Sequence, residues 1–401
     1  MSKSGMTMLA HALALALAGN AQAAISEDAV RIGFITDMSG VYSSYDGPGG
    51  AEAIRMAIAE FGATVDGKKI ELLTADHQNK SDIAASKARE WFDRNGVDML
   101  VVGTNSSAAL AIAKVAAEKK KLIFVVGSGA TALTNEQCNA YTFHYAYDSI
   151  SQARGTASAV VASGGKSWYF VSADYAFGQA LEADASAVIK ASGGSVLGSI
   201  KHPLGASDFS SFMLQAQASG AQILGLANAG GDAVNAIKAA SEFGLTKKMG
   251  IAGLSVTMPD IHALGLPATQ GMYLTDSWFW NITPEARAWS QQFYARRKSM
   301  PTAFHAADYS AVLQYLRAVK ETGSDSAEVI IPYFKKSKLS DHYLKNATFR
   351  DDGRVVHDMY LLQVKTPAES KEAWDYFKLA QTIPGEQAFA RKSESKCALW
   401  K

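Results

Sequence analysis

Cysteine is nearly absent, with Cys138 and Cys397 the only two in 401 residues. Two thiols cannot supply the three or four ligands of a zinc site, and the eight histidines show no paired zinc spacing. In an oxidising compartment, two cysteines so far apart point instead to one structural disulfide. It would pin the C-terminal tail to the body of the protein. Net charge is also lacking: 39 basic and 38 acidic residues leave +1. That gives no broad electrostatic footprint for nucleic acid or an anionic membrane. Long hydrophobic runs are missing too, since nothing after the first residues reaches the roughly 20 apolar positions of a membrane span. Gly/Ser linkers, low-complexity tracts and short tandem repeats do not occur.

The usual catalytic signatures are absent as well. Gly47-Pro48-Gly49-Gly50 starts like a dinucleotide fingerprint, but Glu52 stands where the third glycine belongs. No P-loop, HExxH or GxSxG is present. Ser163-Gly164-Gly165-Lys166 matches SxxK by letter, without the SDN and KTG partners. No cofactor, no metal and no enzymatic activity are expected.

What is present begins with an export signal. Lys3 supplies the positive end, Met8–Leu17 the short apolar core, and Ala21-Gln22-Ala23 the A-x-A cleavage site. Cleavage after Ala23 exposes no cysteine for lipid attachment. A soluble, periplasmic protein is expected.

From there strand and helix alternate. Val30–Thr36, Lys69–Thr74, Met99–Val102 and Leu122–Val126 read as buried parallel strands with helices between them. The aromatic segment Tyr141–Tyr147 breaks the rhythm and reads as irregular. A second unit of the same type runs from Ile150 to about Thr275. Two helices follow, near Thr283–Arg297 and Ala303–Glu321, then a strand over His357–Val364 and a helix near Glu369–Phe377. The economical architecture is α/β, two doubly wound lobes with strand-end loops facing each other across a cleft.

The stretch Asp98–Thr134 carries the sharpest functional signal. Both of its strands end in small and hydroxyl residues: Gly103-Thr104-Asn105-Ser106-Ser107, then Gly127-Ser128-Gly129-Ala130-Thr131. Ligands of open parallel sheets bind at such strand ends. Asn105, Ser106 or Ser107 can cap the next helix, whose free N–H groups would face an anion. With no nucleophile beside a base, this is a carboxylate cradle. Aromatics recur at the same end of the strands: Tyr42, Tyr45, Tyr145, Tyr147, Tyr175, Phe177, Trp278, Phe279, Trp280 and Phe304. They would wall a flat or apolar ligand body. Asp37, Asp174 and Asp232 lie near these loops, where an aspartate more often caps a helix.

The motifs RIGFITDMSGVYSSYDGPGGAEAIRMAI, GTNSSAALAIAKVA, VVGSGATALT, ADYAFGQALEADA and ADYSAVLQYLRAV resemble the type I periplasmic solute-binding proteins of ABC transporters. The group is similar to the branched-chain amino-acid-binding family, over nearly the whole mature chain. The resemblance implies two Rossmann-like lobes joined by three crossovers. The first would hold residues 28–149 and 279–350, the second residues 150–278 and 351–401. It also implies a monomer that delivers a small ligand to a permease in the inner membrane. Ligand contacts are implied at Ser106 or Ser107, Ser128, Gly129, Ala130 and Thr131 for the carboxylate. Tyr45, Tyr145, Tyr175, Phe177, Trp278 and Phe304 would serve the ligand body. Asn228 stands where a tyrosine is usual, and Ser255 where amino-acid binders place an acidic residue for the ligand ammonium. That departure points to an aromatic carboxylate of benzoate or hydroxycinnamate type. The rivals are a binder of branched-chain amino acids or small amides on the same fold, and an α/β enzyme.

Overall fold

The computed structural model describes residues 25–401, so the export signal and its cleavage after Ala23 lie outside the described residues. The described chain opens with β1 (Ala29–Thr36), α1 (Gly47–Phe61), β2 (Thr64–Val65), β3 (Lys68–Asp76), α2 (Ser81–Arg94) and β4 (Met99–Val102). α3 (Ser106–Lys119), β5 (Leu122–Val125) and β6 (Thr142–His144) follow. These strands form one sheet in the order β2-β3-β1-β4-β5-β6, parallel except at the β2–β3 edge. β4 and β5 are buried at every position, as unbroken MLVV and LIFV runs require when helices cover both faces. The segment read as irregular from sequence, Tyr141–Tyr147, contains β6, which pairs parallel with β5.

The second unit begins with α4 (Ser149–Gln152) and α5 (Ser158–Ala162), joined by a π turn over Ala153–Ala157. β7 (Ser167–Ala173), α6 (Ala176–Ala191), β8 (Ser195–His202), α7 (Ser210–Ala218), β9 (Ile223–Ala227), α8 (Gly230–Glu242) and β10 (Gly250–Gly253) continue it. Their sheet runs β10-β9-β7-β8, all parallel. In both sheets the strand order reverses beside the first strand of the unit, between β1 and β4 and between β7 and β9. Those two switch points are where loops splay apart and ligands bind in such folds.

After α9 (Met258–Leu264), α10 (Leu266–Thr269) and β11 (Tyr273–Asp276) the chain returns to the first unit. There it builds α11 (Pro284–Arg297), α12 (Ala303–Thr322) and α13 (Ala327–Lys336). α12 packs on α1 and is buried on nearly all sides. The chain then forms the short β12 (Thr348–Phe349) and β13 (Val355–Val356), β14 (Met359–Val364), β15 (Phe377–Ile383) and α14 (Gly385–Ala388). β11, β14 and β15 make a small antiparallel sheet. The helix expected near Glu369–Phe377 is not formed; turns lead there into β15, whose five central residues are exposed and carry no amphipathic signal.

The chain thus passes between the units near Tyr147, near Trp278 and near Arg354. The first and third passages lie side by side, bridged at His144–Arg354. A disulfide joins Cys138 to Cys397 with Cα atoms 5.7 Å apart, tying the tail to the loop after β5. The Lys396 N–H also donates to the Asn135 side chain there. No described helix is long and apolar enough to cross a membrane, and no described cluster of His, Cys, Asp or Glu is arranged to hold a metal.

Candidate functional site

The loop after β1 carries Tyr42 and Tyr45, and Asp37 folds it. Its carboxylate accepts from the Gly40 N–H at 2.6 Å, the Tyr42 N–H at 3.0 Å and Asn79 Nδ2 at 2.7 Å. Asp46 ties this loop to the one after β4. It accepts from Thr36 Oγ1 at 2.6 Å, the Gly47 N–H at 2.6 Å and the Thr104 N–H at 3.0 Å. Burial still dominates and pushes its carboxyl up to about 6. The loops crowd so closely that a Cβ at Gly127 would lie 2.5 Å from the Thr104 nitrogen.

At the start of α3 the cap is Asn105, which accepts from the Ala108 N–H at 3.0 Å. It leaves the Ser106 end of the helix, with its positive dipole, facing the space between the sheets. Ser106 accepts a hydrogen bond from Ser128 Oγ at 3.0 Å. The second unit contributes Tyr175 and Phe177 from the start of α6 and Ala229 from the loop before α8. Tyr175 and Tyr42 join their hydroxyls across the cleft at 2.7 Å.

Together these residues line a narrow cavity with a free volume of only about 10 Å³, formed by Tyr42, Tyr45, Thr104, Asn105, Ser106, Gly127, Tyr147, Tyr175, Phe177 and Ala229. Five of the ten are aromatic and none carries a charge. Phe304 stands behind the wall, stacked on Tyr45 at 5.5 Å between centroids and edge-on to Tyr147 at 5.4 Å. The Tyr45 hydroxyl points away to Asp260, whose carboxyl burial pushes up to about 7.

Of the residues expected from sequence, Tyr45, Ser106, Tyr175 and Phe177 line the cavity. Ser128 and Phe304 stand one layer back. Gly129 abuts it, since a Cβ there would meet the Phe177 and Tyr147 rings at 2.9 Å. Ser107 turns to an outer groove with Leu110 and Lys114. Ala130 is buried in the cluster on the α2–α3 side of the sheet. Thr131 donates to Asp184 at 2.7 Å, a carboxylate of α6. Asn228 bonds His202 through Nδ2 at 3.0 Å while its Oδ1 is buried without a partner, and its neighbour Ala229 reaches the cavity. Ser255 accepts from Gln152 at 3.0 Å through its hydroxyl.

Two of the aromatics are core instead. Tyr145 packs edge-on to Phe124 and bonds Ser310 at 2.8 Å, and Trp278 packs on Trp289 and donates to the His342 carbonyl at 3.1 Å. Tyr147 takes the place expected for Tyr145. Tyr42 and Tyr147 were visible as strand-end aromatics, and Asn105 as a cap. Thr104 and Gly127 belonged to the strand-end runs, and Ala229 had no signal of its own. Among the loop aspartates, Asp232 accepts from the Gly205 N–H at 3.0 Å, while Asp174 is an exposed partner of Lys201.

Two parallel α/β units, joined by three passages and facing each other across a cavity at their switch points, define a type I periplasmic binding protein fold. The chain belongs to the periplasmic binding protein family, whose model matches residues 29–372. It is similar to a periplasmic binding protein from Burkholderia mallei, at 60% identity over 93% of this chain and 100% of that one, with a TM-score of 0.92. A branched-chain amino acid ABC transporter periplasmic ligand-binding protein from Burkholderia xenovorans is 39% identical over 92% of this chain and 99% of that one, with a TM-score of 0.81. A solute-binding protein of an ABC transporter from Rhodopseudomonas palustris, in complex with benzoate, shares the fold at 18% identity, over 92% of this chain and 100% of that one, with a TM-score of 0.81. No curated protein matches the chain. The protein is therefore a periplasmic binding protein, similar to those that serve ABC transporters.

Proposed function

We propose that the protein captures a small aromatic carboxylate, of benzoate or hydroxycinnamate type, between two closing lobes and delivers it to a permease in the inner membrane. The observation that carries this reading is the cavity itself, with five aromatic side chains, no charged one, and the N-terminus of α3 opening at Ser106. A carboxylate would take the first N–H groups of α3 and the Ser106 hydroxyl. The rings would take the flat body of the ligand. A branched-chain amino acid would bring an ammonium group among lining residues that offer no carboxylate, and an unpaired buried charge costs several kcal/mol. Solute-binding proteins of the same fold carry 3,4-dihydroxybenzoic acid and 4-hydroxybenzoate.

In this reading residues 28–149 with 279–350 form the first lobe, and 150–278 with 351–401 the second. The mature chain starts after Ala23, carries no lipid, and works as a monomer. It performs no chemistry: the Ser106 hydroxyl meets Ser128, and no base stands beside it. A thermal-shift panel tests the ligand class. Stabilisation by benzoate or hydroxycinnamates is expected; stabilisation by leucine and by no aromatic acid would overturn it.

A further inference from the structure

We infer that Tyr45 and Asp260 form a clasp that holds the lobes shut, with the Tyr45 hydroxyl spent on protein partners and only its ring left to the solute. The inference rests on the two-lobed reading above but not on the identity of the ligand. Three groups of the second unit converge on this hydroxyl from the first. Asp260 Oδ2 lies 2.5 Å away, the Gly230 nitrogen 2.7 Å and the Ser255 carbonyl oxygen 3.1 Å. A phenol has one proton to give. Gly230 is a donor, so the proton goes to Asp260 and is shared with Ser255. No proton remains for a ligand atom to accept without breaking one of these bonds.

Both ends of the clasp are rigidly mounted. On the first unit the Tyr45 ring stacks on Phe304, and its carbonyl accepts from Thr302 Oγ1 at 2.6 Å. On the second, Asp260 Oδ2 also accepts from the Thr257 N–H at 2.8 Å and Oγ1 at 3.2 Å, the capping box of α9. The approach beside it is equally close. The Gly231 N–H donates to the Val41 carbonyl at 3.1 Å, and a Cβ at Gly230, where φ is +59°, would lie 2.4 Å from that oxygen. Tyr45 and Asp260 are each 2% exposed. Parting the lobes would return both to water, whereas the neighbouring Tyr42–Tyr175 contact joins two neutral hydroxyls. The Tyr45 hydroxyl takes three partners across the cleft and the Tyr42 hydroxyl one. Asp260 lines no part of the cavity, so it acts through Tyr45 as a positioning residue.

The test compares Tyr45→Phe, Asp260→Ala and Asp260→Asn with the wild type, by stopped-flow binding of benzoate and by small-angle X-ray scattering of the ligand-free proteins. Phenylalanine keeps the stack on Phe304, and asparagine keeps an oxygen able to accept the same hydrogen bond. Y45F and D260A should dissociate roughly tenfold faster or more, with association changed by less than about threefold, since closure contacts act on the off-rate. Their scattering should report a wider ligand-free protein, and D260N should resemble wild type in both readouts. Unchanged dissociation and scattering in Y45F would overturn the clasp. So would loss of binding with unchanged scattering, which would make the hydroxyl a ligand donor. If benzoate fails to bind the wild type, the ligand reading falls, and the scattering comparison still decides the clasp.

Discussion

Arg354 Nη1 donates to the main-chain carbonyl of Tyr147 at 3.0 Å, and the ring of the same Tyr147 walls the cavity. The third passage between the units thereby holds the first. Arg354 is fully buried, 3.6 Å from Asp148 and with its guanidinium 4.1 Å from the centroid of Phe389. Burial lowers its pKa to about 10 against the pull of Asp148, so it keeps its charge at neutral pH.

Replacing Arg354 with methionine leaves Asp148 buried without its cation. Removing one partner of a buried pair typically costs about 3–5 kcal/mol. Urea unfolding should show a loss of that order. Ligand affinity should fall with it, because Tyr147 loses the bond that fixes its backbone. Unaltered stability would show the pair to be dispensable.

The two adjacent serines separate the inward and outward faces of α3. Ser106→Ala should weaken carboxylate binding by roughly tenfold, the order of one hydrogen bond to a charged group. Ser107→Ala should leave it unchanged, as that side chain faces the outer groove with Lys114. Calorimetric titration of both variants checks the difference. Equal effects would contradict the geometry.

Much of this was legible in the sequence, for identifiable reasons. Unbroken apolar runs at Met99–Val102 and Leu122–Val126 read as strands covered on both faces, and an Asn-Ser-Ser after such a strand as a helix start. The second unit repeats the pattern and was equally plain. Tyr145 and Tyr147 could not be told apart, because β6 ends at His144 and the alternation of faces ends with it. Trp278 lies at a passage between units, where nothing local says whether an aromatic packs on Trp289 or reaches the cleft. β15 presents Lys378 to Thr382 to solvent, so no period of two marks it as a strand. Asp260 was invisible as a partner of Tyr45, since 215 residues separate them.

Buried acids and histidines set an optimum for stability against pH. Burial raises Asp98, Asp260 and Asp276 to about 7 from an ordinary 3.8. The folded chain therefore holds protons that the unfolded chain has lost, and this contribution fades as pH rises from about 4 through 7. Burial lowers His305 to about 3 and His342 and His357 to about 4 from an ordinary 6.5. There the unfolded chain binds the extra protons, and stability is lost as pH falls below 6.5. Above pH 6.5 only the acids act, so the melting temperature should drop between pH 6.5 and 8. Asp98→Asn, which can still accept from the Arg31 N–H, should flatten that drop.

The Cys138–Cys397 bridge closes a span of 259 residues. Its loss should cost about 2–5 kcal/mol. The melting temperature should fall on reduction, and Cys138→Ser should melt at the reduced value with no further response to reductant. Polar contacts from Arg154 to the Phe389 carbonyl and to Glu394 would hold part of the tail in place. An unchanged melting point on reduction would mean that they suffice alone.

The central claim is that an aromatic ring lies among Tyr42, Tyr45, Tyr147, Tyr175 and Phe177 while its carboxylate meets the start of α3. Calorimetric titration of the wild-type protein with benzoate, 4-hydroxycinnamate and leucine tests it most directly. The account predicts saturable one-site binding of at least one aromatic acid, lost on conversion of its carboxylate to a methyl ester, and no heat from leucine. Saturable binding of leucine with no response to either aromatic acid would contradict it.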